Sequence, residues 1–145
     1  MHNTTKHHWT ALLVVAAVLL PGSKAQADVV TAWNITAGDI AVAAKLPPPP
    51  AYRVMALAQS AVYEAVNAIT KRYPPDRVTL DAAPGASVEA AVAAANRATL
   101  VKLVPSQQAA IDSAYQTALS AIADGPAKTA GLAVGDKAAA AILTL

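Results

Sequence analysis

The chain has 145 residues, a formal net charge of +2, an apolar fraction of 55% and neither cysteine nor phenylalanine. Disulfides and thiol chemistry are thereby excluded, and because all three histidines (His2, His7 and His8) fall in the first eight residues, the rest of the chain has no imidazole to act as base or metal ligand. The positive balance is also terminal: without Lys6 and Lys24, nine Lys and Arg face nine Asp and Glu, so no basic stripe remains for a nucleic acid.

Residues 1–27 read as a signal peptide. Lys6 supplies the positive charge, the run Trp9–Leu20 the apolar segment, and Pro21-Gly22 a break. Ala25-Gln26-Ala27 then places small residues at both outer positions of a cleavage triplet, which predicts a cut after Ala27, before Asp28. The apolar run is too short for the roughly 20 residues that span a bilayer, and no second run is longer, so no permanent membrane span is expected. The expected destination is the periplasm or the medium.

Residues 28–145 suit one small domain, and five helical segments are predicted in them, with no period-two alternation of a strand. The first runs from Val29 to Lys45, with Val30, Trp33, Ala37, Ile40, Ala41 and Ala44 on one side. Pro47–Pro50 are expected to stop it and to act as a stiff connector. The second, Ala51 to Thr70, carries the clearest apolar stripe: Val54, Leu57, Ala58, Ala61, Val62, Ala65, Val66 and Ile69. Arg53, Ser60, Glu64, Asn67 and Lys71 fall on its other side, a polar row that is either a solvated face or a contact with another part of the protein, and a solvated or structural face is expected.

A turn-rich loop, Tyr73–Gly85, leads to a third helix at Ser87–Val104, with Ser87 as N-cap and Glu89, Arg97 and Lys102 complementing the helix dipole. The fourth opens after Pro105 with Ser106 as cap and runs to Ala123, burying Ile111, Ala114, Tyr115, Ala118, Leu119 and Ile122, until Asp124-Gly125-Pro126 ends it. The fifth starts near Pro126. Its glycines, Gly131 and Gly135, are costly in a helix unless another backbone approaches closely at that face. The class is all-α, a bundle of about five helices.

An alanine methyl offers little area to a burial term of about 25 cal/mol per Å². Alanine-lined helices therefore gain most by packing on further helices, and the uncapped apolar end Ala141–Leu145 adds to the expectation that this bundle is an incomplete part of a larger one.

Asp28-Val29-Val30-Thr31-Ala32-Trp33-Asn34, the proline break and Arg53–Ile69, above all Tyr63-Glu64-Ala65-Val66-Asn67-Ala68-Ile69, are together similar to a known region. It is the N-terminal helical region of bacterial vanadium-dependent haloperoxidase-like proteins of the type 2 phosphatidic acid phosphatase superfamily. Ala86–Ala95 and Gly131–Gly135 resemble the helices that follow there. The resemblance implies an enzyme that binds vanadate or phosphate in a helical bundle, through a lysine, an Arg-Pro pair, a Pro-Ser-Gly-His segment and a later arginine and histidine.

This chain contains none of those motifs. Pro105-Ser106-Gln107-Gln108 lacks the glycine and the histidine, so Ser106 is read as a cap. Glu64, Asp112 and Asp136 lie on different helices, with no spacing that demands an acid–base pair or a metal site. Asn34-Ile35-Thr36 matches a glycosylation triplet but falls inside a helix. No catalytic, cofactor-binding or metal-ligating residue is assigned, and no cofactor is expected in this chain, vanadate belonging to the longer family members.

The expected function is that of the exported N-terminal helical portion of such a haloperoxidase-like or phosphatase-like enzyme, inactive alone. Its partner would be the missing catalytic bundle or a second copy. The alternative is a complete exported binding or scaffold module closed by oligomerisation. Whether peroxidase or phosphatase chemistry follows is decided by residues not present.

Overall fold

A computed structural model describes residues 28–74 and 78–145. The signal segment and its cleavage site, as well as Pro75 and Asp76 of the loop, lie outside the described residues. Five α-helices follow in order: α1 (Val29–Ala43), α2 (Pro48–Thr70), α3 (Val88–Leu103), α4 (Gln108–Ser120) and α5 (Pro126–Leu143), with one 3-10 turn, Pro105–Gln107, before α4. Among the described residues there is no strand. The all-α class is as the sequence predicts.

Helix α1 is capped by Asp28, whose Oδ1 accepts from the Thr31 amide at 3.0 Å. It ends earlier than expected, and the prolines are not what ends it. Lys45 takes the left-handed conformation (φ 53°), its N–H donates to the Val42 carbonyl at 2.9 Å, and the Leu46 N–H reaches the Ala41 carbonyl at 3.2 Å. These two bonds form a Schellman turn, with Leu46 folding back on the core.

The proline run is a correction to the expected connector. Pro48, Pro49 and Pro50 form the first turn of α2. Helical N–H groups in a first turn have no intrahelical acceptor, so proline there forfeits nothing, and its fixed φ suits the helix.

Helix α3 is the axis of the molecule. Ala90 through Asn96, together with Thr99 and Leu100, are buried right around its circumference, and α1, α2, α4 and α5 all pack on it. Ser87 is its N-cap as expected: Oγ accepts from the Ala90 amide at 3.1 Å and donates to Glu89 Oε2 at 2.9 Å. The Ser87 amide in turn donates to the Ala127 carbonyl at 2.9 Å, which ties the start of α3 to the start of α5.

The α3–α5 seam meets the expectation of close approach. A Cβ on Gly131 would strike the Ser87 carbonyl and sit 3.0 Å from the Ala90 methyl. One on Gly135 would strike the Ala91 carbonyl and sit 2.8 Å from the Ala94 methyl.

Helix α4 departs from its predicted boundaries and burial. Ser106 is not its cap but lies in the 3-10 turn, and α4 begins at Gln108 with no side-chain cap. It ends at Ser120, three residues early, because α5 supplies its C-terminal stop: Lys128 Nζ donates to the Leu119 carbonyl at 2.9 Å and the Ile122 carbonyl at 3.1 Å. Of the predicted stripe only Ile111 is fully buried; Ala114, Tyr115, Ala118, Leu119 and Ile122 remain half-buried.

Candidate functional site

Among the described residues, polar or open surface gathers at several places. The first is the hydrophilic side of α2, expected to be solvated or structural. Glu64 and Asn67 are buried there, at 3% and 7% exposure, so at these two positions the face is structural rather than solvated. Asn67 Nδ2 donates to the Tyr73 carbonyl and its Oδ1 accepts from the Tyr73 amide, both at 2.9 Å. Lys71, left-handed at φ 52°, turns the chain back over the helix end so that these bonds close. Buried amide groups require partners, and the returning backbone supplies them. The Tyr73 ring then stacks on Tyr63, with centroids 6.5 Å apart.

Between this returning segment, α2 and the start of α1 lies a cleft of about 370 Å³. Val30, Val62 and Val66 form its wall, the two tyrosines its rim, and Arg72 stands at its mouth. A second, wider groove of about 650 Å³ separates α1 from α4, with Trp33 at its base, Ala118 and Ile122 on its flank, and Asp28 and Glu89 at its acidic end.

The third place is a charged joint where α3, α4 and α5 meet. Arg97 Nε donates to Asp112 Oδ1 at 2.7 Å, and the guanidinium lies 5.0 Å from the centre of the Tyr115 ring. Burial, reinforced by the Asp136 carboxylate, pushes the Tyr115 phenol above its ordinary value against the opposing pull of Arg97 and Lys128. Partial desolvation likewise raises the Asp136 carboxyl, with Arg97 acting in the other direction.

Of the three carboxylates considered from sequence, Asp112 and Asp136 therefore come into the field of one arginine, whereas Glu64 is buried on α2, away from them. Arg97 does more than complement a helix dipole. No sequence signal marked the Asp112 pairing, since fifteen residues and a turn separate the two partners.

No family model matches this chain, and no curated protein or solved structure matches it.

An oxyanion such as vanadate or phosphate calls for several cations converging on one point. Here Arg97 is held by Asp112, and Lys128 is held by two carbonyls and, at 2.9 Å, by Asp124. Among the described residues that line its cleft, Arg72 has no second cation beside it. The described residues do not include a group of three or more His, Cys, Asp or Glu side chains able to hold a metal ion.

No described helix is long and apolar enough to cross a membrane. Asn34, in the glycosylation triplet, faces α2, where its Oδ1 accepts from Gln59 Nε2 at 3.1 Å. Deep in α3, Asn96 Oδ1 and Thr99 Oγ1 are buried without a hydrogen-bond partner among the described residues.

Proposed function

We propose that this chain is the exported N-terminal helical portion of a vanadium-dependent haloperoxidase-like or type 2 phosphatidic acid phosphatase-like protein. In this reading it packs around an oxyanion-binding bundle encoded elsewhere and has no turnover of its own. The observation that carries the reading is that the two stretches of resemblance meet in space and perform the joining. Trp33 is buried where α1 lies against the core, Asn34 bonds Gln59 across the α1–α2 contact, and Asn67 locks the segment after α2. The similar residues thus serve architecture, as expected of a supporting region.

Two measurements test the proposal. The reading frame beyond the Leu145 codon is expected to encode the Arg-Pro, Pro-Ser-Gly-His and arginine–histidine elements; a downstream sequence with none of them in any frame overturns it. The purified secreted chain is expected to begin at Asp28 by mass and to show neither phosphatase nor vanadate-dependent bromoperoxidase activity. Measurable turnover overturns the supporting role.

A self-closing scaffold is favoured by one feature, the outward face of α1. Ile35 is 59% exposed and Val42 78% exposed, two turns apart on that face. A defined oligomer with a cooperative unfolding transition would support that second reading.

A further inference from the structure

The cleft beside α2 has the makings of a binding site independent of any family reading. Its volume of about 370 Å³ falls within the range of small-molecule sites, and its walls are apolar with few polar groups. Its shape is preset. The left-handed turn at Lys71 and the two-sided bond from Asn67 fix the Tyr73 backbone, which places its ring beside that of Tyr63 at the rim. Val62 is a closed floor at 3% exposure, while the Tyr63 and Tyr73 rings remain open at 38% and 57%.

Charge selects the ligand. Among the lining residues Arg72 carries the only formal charge, and no carboxylate faces it from the cleft. Three of the other polar groups are engaged, Gln59 with Asn34, Asn67 with Tyr73, and the Thr70 hydroxyl with the Val66 carbonyl, which leaves the two tyrosine hydroxyls beside Arg72. The Arg72 guanidinium makes no hydrogen bond or ion pair among the described residues. Its planar fork matches a carboxylate, and the tyrosine pair with the valine wall offers a slot for a flat apolar body. We propose that this cleft binds a small aromatic carboxylate, with the ring against Val62, Val66 and the tyrosines and the carboxylate on Arg72.

The test is a fluorescence titration of the 145-residue chain with 2-naphthoate, alongside the neutral 2-naphthamide. Naphthoate is expected to saturate one site and to bind about tenfold or more tightly than the amide, the scale of one charge-assisted contact. Arg72→Gln is expected to erase that preference and Arg72→Lys to restore part of it. Tyr73→Leu keeps the backbone bonds to Asn67 while removing the ring, and is expected to weaken both probes several-fold. Circular dichroism and the thermal transition of each variant should match the parent, since Arg72 and the Tyr73 ring are exposed. Equal affinity for acid and amide, unchanged naphthoate binding in Arg72→Gln, or no saturable binding at millimolar probe overturns the proposal. None of these outcomes bears on the supporting role proposed above.

Discussion

Helix α3 meets α5 on one side and α4 on another, and the two contacts are built differently. Against α5 the facing residues are small: Gly131 and Gly135 lie against Ala90, Ala91, Ala94 and Ala95, with Ala138 and Ala139 buried further along, and backbone nearly touches backbone. Against α4 the side chains are larger, yet only Ile111 is fully covered, and α4 is held by the Arg97–Asp112 pair from α3 together with Lys128 reaching over from α5. Small residues let two helices approach until each atom has neighbours on all sides, which is where dispersion is strongest. Large residues on a short helix held farther out leave a groove, and polar ties then set the position. The first contact should tolerate no added atoms, and the second should yield in small steps.

The largest effect is expected from Gly135→Leu, which drives a branched side chain into the Ala91 carbonyl. The cooperative urea transition should be lost or shifted by more than about 3 kcal/mol, and even Gly135→Ala should cost about 1–3 kcal/mol although alanine is the better helix former. A mild, sub-kilocalorie result for Gly135→Ala would mean that the seam is looser than described.

At the end of α4, Lys128→Met removes the donor from α5 that stops the helix and should cost about 1–2 kcal/mol. Amide exchange should accelerate in the last turn of α4 and not in α5.

Gly38 is the control for the seam. A Cβ there meets nothing within 4 Å, so Gly38→Ala should stabilise by about 0.5–1 kcal/mol in the same urea experiment.

The Arg97–Asp112 pair is 40% and 34% exposed. A double-mutant cycle should give a coupling below about 1 kcal/mol that shrinks in salt.

The smallest effect concerns Asp136, whose raised carboxyl means the folded state holds its proton more tightly than the unfolded one. Its contribution to stability is fully present below the unfolded value near 3.8 and is lost as pH rises through the folded value. Asp136→Asn should therefore be slightly more stable than the parent at neutral pH, with the advantage disappearing on acidification. An advantage that grows in acid would reverse the assigned sign.

Much of the helical layout was legible before the structure. The stripe Val54–Ile69 marks α2, Ser87 marks the start of α3, and the Gly131–Gly135 spacing marks a close contact on α5, because each signal is local and carries its own periodicity or capping chemistry. What misled were signals whose meaning depends on neighbours. Prolines that end a helix also begin one, and Ser106 is a competent cap that the 3-10 turn left unused. Asn67 has the spacing of a surface residue, yet the returning chain at Lys71 buries it. The cleft was not legible at all, since it exists only where that return, α1 and α2 converge.

By itself, then, the sequence determined that the described chain is helical, where most of its helices lie, and that no imidazole or thiol follows His8. Those are properties of residue type and of hydrophobic repeat, which act over a few turns. Only the tertiary structure decided that α3 is the buried axis, that Arg97 meets Asp112, and that Arg72 lines an apolar cleft with no carboxylate among the described residues that line it. Such placements depend on which helix faces which, and that choice is made by the packing of the whole core rather than by any one segment.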